Sequence, residues 1–252
     1  MEKEKPLDNL VEGYSFTSIF RKVAFIGDSL SSGEFVVIDK DGKRHWRDMF
    51  EYSWGQFIAR KNGFFAYNFS AGGMTAKWYI NEFAQEFGYW DPDKACQAYV
   101  IALGVNDLCP AKNQVGTVED ITATEFEADR PFISYYGEIV RRYKKISPDA
   151  KFFFVTIPKD NPFMDDEKTR KMQQAMYALA EHFDNSYVID LYKYAPAWDE
   201  DFRQKYIMNN HMNPMGYVLA AKLIDSYIDY IIRHNMEDFR HVGLLGTNIP
   251  YK

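Results

Sequence analysis

Two cysteines in 252 residues, Cys96 and Cys109, are too few for a disulfide framework or a structural zinc site. They flank the apolar run AYVIALG at 98–104. Read as a strand of about six residues at ~3.3 Å each, that run holds them roughly 20 Å apart, beyond disulfide reach. Two free thiols are expected. No pair among the five histidines stands at metal-ligand spacing, so no metal is expected. The sequence also lacks an apolar run of the ~18–20 residues that cross a bilayer, and its opening MEKEKPLDNL lacks the apolar stretch of a secretory signal. No membrane partner is expected. A chain whose native start is Met1 belongs in the cytoplasm, whereas one trimmed of a signal peptide is secreted or periplasmic. A basic excess is missing too: 30 Lys and Arg stand against 36 Asp and Glu, for a net charge of -6. Such a surface releases few counterions from phosphates, which argues against nucleic acid as a partner.

What is present is ordinary globular material, 46% hydrophobic and 26% charged, which excludes disorder and low complexity. Nearly continuous apolar, β-branched or aromatic runs occur at 22–26, 64–69, 98–103, 151–157 and 187–189. Such runs suit strands covered on both faces. Helical patterns lie between and around them, at 46–61, 75–87, 132–146, 165–183 and 214–234. Alternation of strand and helix predicts an α/β domain, with helices on both faces of a parallel sheet of about five strands. Neither a repeat nor a linker divides the chain. A single domain over 1–252 is expected, with a core at about 20–236 and an irregular surface extension at 237–252. Residues 110–130 have no clear period: they form either a functional excursion or a short helix. The acids there, Glu119, Asp120, Glu125, Glu127 and Asp129, are expected to form a solvated rim.

In open α/β sheets ligands bind beyond the carboxyl ends of the strands. Ser29 follows the first run and a glycine, which would expose its hydroxyl at that crevice; a turn or helix N-cap is the competing role. The pattern is not the Gly-x-Ser-x-Gly elbow, since Ser31 stands two residues on. Gly73 and Asn106 follow the second and third runs. A closely approached glycine N–H, an Asn amide and the Ser29 N–H are three donors suited to the oxyanion of acyl transfer. Separately, each also fits a turn or a cap. His211 stands in a loop just before the last helical pattern, where an imidazole would serve as general base. His45, His182, His234 and His241 fall on helical or tail segments and are expected to be structural.

Four blocks, GDSLS at 27–31, NFSAGG at 68–73, GVND at 104–107 and HMNPMGY at 211–217, resemble in order and spacing the SGNH hydrolases, also called GDSL esterases. The resemblance implies a flavodoxin-like three-layer α/β/α sandwich and ester hydrolysis through an acyl-serine, without metal or cofactor. By position it implies Ser29 as nucleophile, His211 as base, and an oxyanion hole of Ser29, Gly73 and Asn106.

One position departs from the family. The acid that orients the histidine usually stands three residues before it, and here that residue is Met208, whose thioether is at best a weak acceptor. Asp201, with Asp199 and Glu200 beside it, is the acid expected instead. A main-chain carbonyl or Asn209 is the alternative orienter, and weakened activity is the third outcome. Aromatics make up 17% of the chain, more than a minimal core needs. Trp46, Trp54 and Phe57 at helical spacing are expected to pack on the sheet. Trp78 and Tyr79, shortly after Gly73, either line the crevice as substrate-binding rings or pack in the core. The expected substrate is a small-molecule or carbohydrate ester with a short acyl group, acetyl above all. An O-acyltransferase using the same serine and a silent carbohydrate-binding protein are the rival functions.

Overall fold

The computed structural model describes residues 3–110, 113–123 and 130–251. In chain order the elements are β1 (Lys22–Gly27), α1 (Ser29–Ser32), β2 (Glu34–Ile38), β3 (Arg44–Asp48), α2 (Trp54–Asn62), β4 (Phe65–Ser70) and α3 (Ala76–Trp78). A π-helical turn at Tyr79–Phe83 leads from α3 into α4 (Ala84–Glu86), followed by β5 (Ala98–Ala102), α5 (Val105–Leu108), α6 (Val118–Thr122), α7 (Phe132–Ile146), β6 (Lys151–Val155) and α8 (Asp166–His182). The chain ends through β7 (Ser186–Ile189), α9 (Leu191–Tyr194), α10 (Glu200–Tyr206), β8 (Ile207–Met208), β9 (His211–Met212), α11 (Pro214–His234) and α12 (Met236–Phe239).

The five apolar runs form one all-parallel sheet in the order β4-β1-β5-β6-β7. Because successive strand residues point to opposite faces, each strand feeds two cores. Val23, Phe25 and Phe153 meet Trp54 and Ile58 of α2 and Tyr217, Ile224 and Ile228 of α11. Ala24, Ile26, Phe152 and Phe154 meet Tyr136 and Val140 of α7 and Met172 and Met176 of α8. This is the helix-covered parallel sheet that the runs predict and the three-layer α/β/α sandwich that the resemblance implies, with the flavodoxin-like strand order. Phe152, Phe153 and Phe154 are fully buried, each contributing about 1.5–3 kcal/mol by removal from water.

The long helices start where the sequence caps them. Ser53, Asp165 and Asn213 each accept an N–H of the first turn of α2, α8 and α11, and Pro214 occupies the first position of α11. The helix expected over 46–61 is shorter. It begins at Trp54, and residues 44–48 are instead the strand β3, which carries His45 and an exposed Trp46. The cause is a turn: Asp39 accepts the N–H groups of Asp41 and Lys43, and Gly42 takes φ +80°. That turn folds β3 antiparallel onto β2, with Glu34 opposite Asp48 and Val36 opposite Trp46.

Residues 110–130 hold the short helix α6, capped by Thr117 and Asp120. Of the acids expected there, Glu125, Glu127 and Asp129 lie outside the described residues. The tail also differs from expectation. It forms α12 and a 3-10 turn, and Phe239, Val242 and Leu245 join the core on the α11 face. Arg21 donates to the Gly243 and Leu245 carbonyls and Gln97 to that of Val242, so the tail's backbone is tied to the start of the sheet.

Candidate active site

The chain leaves β1 for β4 on one side and returns for β5 on the other, which makes the β1/β5 boundary the topological switch point of the sheet. Ser29 stands at that point as the first residue of α1. Asp28 caps this turn by accepting the Leu30 N–H at 3.0 Å. Burial pushes the Asp28 carboxyl up to about 6. Among the described residues the backbone N–H of Ser29 donates to no protein acceptor.

After β4 the chain turns at Gly72 and Gly73. Gly73 takes φ +73° with open space where a side chain would stand, and its N–H also donates to no described residue. After β5, Asn106 on α5 donates its side-chain amide to the Met74 carbonyl at 3.1 Å, which holds it against the same turn. Its neighbour Asp107 accepts the Ala76 N–H at 2.9 Å and joins the two loops. Asp107 is buried, which pushes its carboxyl up to about 7.

His211 comes from the other end of the chain, on β9 just before α11. Ser29, Asn106 and His211 line one cavity of about 220 Å³, with Cys109, Phe163 and Trp198 around it. A smaller apolar pocket of about 90 Å³ lies beside this cavity and shares Leu30, Val105, Asn161 and Trp198 with it. The imidazole is held below its usual value by burial, while the backbone of Asn209 and the charge of Asp48 pull the other way. Its Nε2 lies 3.0 Å from Oε1 of Glu34, the first residue of β2. Its Nδ1 is buried and makes no well-formed hydrogen bond to a described residue.

The structure thus brings Ser29, Asn106 and His211 together, with Gly73 on the adjoining turn. Asp201 does not join them. It is exposed on α10 and paired with Lys205 at 2.6 Å, because i, i+4 spacing on a helix surface turns it toward the lysine and water. The carboxylate at His211 is Glu34 instead, a residue the sequence does not mark. Tyr79 does not line the cavity either: it is fully buried, with its hydroxyl 2.6 Å from that of Tyr143. Trp78 packs against the same core and tilts onto Phe83. The aromatic rings at the cavity are Phe163 and Trp198, which follow β6 and β7. The rule that ligands gather beyond strand ends would have singled out both. Cys96 is buried and Cys109 exposed, and both are free thiols.

The family model of the GDSL-like lipase/acylhydrolase family matches residues 25–219, a span holding all four motif blocks. A comparison with curated proteins found no significant sequence match. Among solved structures, a family two carbohydrate esterase from Clostridium thermocellum in complex with cellohexaose superposes with a TM-score of 0.60 at 16% identity, over 90% of this chain and 67% of that one. The psychrotrophic esterase EstA from a Pseudoalteromonas species gives 0.57 at 13% identity, over 84% and 99%. An acetyl xylan esterase gives 0.53 at 18% identity, over 82% and 99%.

Proposed function

Because the chain belongs to the GDSL-like lipase/acylhydrolase family, we propose that it hydrolyses short-chain acyl esters, acetyl esters of carbohydrates foremost, through an acyl-enzyme on Ser29. The observation that carries this is the meeting of Ser29, Asn106 and His211 in one cavity beside a small apolar pocket.

His211 takes the proton of the Ser29 hydroxyl as its oxygen attacks the ester carbonyl. The tetrahedral oxyanion receives the N–H groups of Ser29 and Gly73 and the Asn106 amide, each such donor being worth about 10²–10³ in rate. Collapse breaks the ester C–O bond, and His211 returns the proton to the leaving alcohol. Water then attacks the acyl carbon as His211 takes its proton, the bond from that carbon to Ser29 Oγ breaks to free the acid, and His211 returns the proton to Ser29. A short acyl group is supported by the apolar pocket beside the serine cavity, which at about 90 Å³ is smaller than the ~150 Å³ that admits a benzene ring. The carbohydrate half of the substrate is supported by the esterases of like fold, one in complex with cellohexaose and one named an acetyl xylan esterase, and by the Phe163 and Trp198 rings at the cavity.

The test is turnover of p-nitrophenyl acetate, butyrate and octanoate, and acetate release from acetylated cello- and xylo-oligosaccharides. Acetate and butyrate should be cleaved, and octanoate at least tenfold more slowly. Ser29→Ala and His211→Ala should each lose about 10⁴-fold or more. A wild type no faster than Ser29→Ala on every substrate would overturn the hydrolase assignment.

A further inference from the structure

We propose that Glu34, carried on the hairpin β2–β3, is the positioning acid of His211 and replaces the carboxylate missing at position 208. The role rests on His211 acting as the base of the hydrolase proposed above. Met208 pairs with His211 across β8–β9, is 40% exposed, and offers the ring no charge. Glu34 Oε1 lies 3.0 Å from Nε2, and both side chains are mostly buried, so the pair is shielded from water.

The hairpin is anchored to the His211 loop. Asn209, two residues before the histidine, donates to the Val36 carbonyl at 2.9 Å. Tyr217, from the first turns of α11, donates its hydroxyl to the Glu34 carbonyl at 2.8 Å. Elements on either side of His211 therefore hold the main chain of β2 through side-chain donors, which fixes where the Glu34 carboxylate is delivered. Its other oxygen lies where a Cβ on Gly72 would stand, a place only glycine leaves open. Ionised, the carboxylate stabilises the imidazolium formed when the ring takes the Ser29 proton, as does the backbone of Asn209, which also favours the protonated ring.

The titratable groups facing Glu34 are His211 on β9, Asp48 on β3, Asp28 before α1 and Tyr217 on α11. Burial, then the charges of Asp48 and Asp28, push the Glu34 carboxyl up to about 7. Glu34 and His211 titrate as a pair, and the form with Glu34 ionised and the ring neutral is the active one.

The experiment compares wild type with Glu34→Gln, nearly isosteric but uncharged, and with Glu34→Gln/Met208→Asp. Turnover of p-nitrophenyl acetate is measured alongside the His211 titration and tautomer by ¹⁵N NMR. Glu34→Gln should lower kcat by about 10²-fold or more with KM changed only a few-fold, toward the ~10⁴-fold loss of a neutralised triad acid. It should also lower the imidazole pKa by about one unit. Met208→Asp in that background should restore at least tenfold. A Glu34→Gln enzyme within twofold of wild-type kcat, or a His211 titration that ignores the substitution, overturns the proposal. The titration needs no substrate, so a wild type without ester turnover counts against the hydrolase and not against the pairing.

Discussion

Asp48 is a single charge acting on two partners. It faces Glu34 across the hairpin, accepts the Ser32 hydroxyl at 2.5 Å, and raises the affinity for protons of both Glu34 and His211. With the Glu34 carboxyl pushed up to about 7, hydrolysis should decline as pH falls through neutrality, because protonated Glu34 no longer offers the imidazolium a negative charge. Asp48→Asn removes a repelling charge from Glu34 and an attracting one from His211. Both effects favour proton loss, so the acid limb of kcat/KM should move to lower pH by about half a unit or more. A pH–rate profile of the two proteins checks this, and a limb that stays put or moves upward counts against it.

Among the elements, the hairpin β2–β3 adds most to the site, and its placement depends on one residue. Gly33 closes α1 in the left-handed region at φ +77°, and a Cβ there would stand 2.4 Å from the Met49 carbonyl oxygen. Both are backbone constraints, so no rotamer change relieves them. Gly33→Ala should cost about 1–2 kcal/mol for the dihedral alone, plus the displacement of Met49. The expected result is a lower Tm together with slower ester turnover, since Glu34 is the next residue; thermal melts and rate assays on the purified variant decide it. The hairpin was legible in principle. Asp41-Gly42 between EFVVI and RHWRD is a turn signal, but Trp46, Trp54 and Phe57 at helical spacing competed with it. In contrast, α7 and α11 were legible to the residue, because a continuous apolar stripe has no rival period.

For the molecule as a whole, three buried carboxyls set an unusual pH dependence. Asp28 is pushed up to about 6, and Glu34 and Asp107 to about 7, chiefly by burial. A raised acid binds more protons folded than unfolded, so between about pH 4 and pH 7 stability falls as pH rises. His211, held low, acts oppositely but singly. The exposed carboxyls Glu12, Asp39 and Glu167 are held low, so their contribution is lost only as pH falls through their own range. Each unit of upward shift removes about 1.4 kcal/mol above both values, and about 1 kcal/mol moves Tm by about 2–4 °C in a chain of this size. Tm should therefore drop by about 5 °C or more between pH 5 and pH 8 in calorimetry. A flat or rising profile would mean that these acids are not the buried groups described.

By itself the sequence determined what repeats or lies close along the chain. Five apolar runs made the parallel sheet, and four short blocks marked Ser29, Gly73 and Asn106 after strands and His211 just before the last helix. Tertiary structure alone decided which acid serves His211 and which rings line the cavity. Asp201 is ten residues from His211 and Glu34 is 177 positions away, yet helix geometry points the nearer one at Lys205 and water, while hydrogen bonds from Asn209 and Tyr217 draw the distant one in. A contact between residues so far apart leaves no period and no motif in the sequence. It exists only once the hairpin, the β9 loop and the start of α11 are packed together.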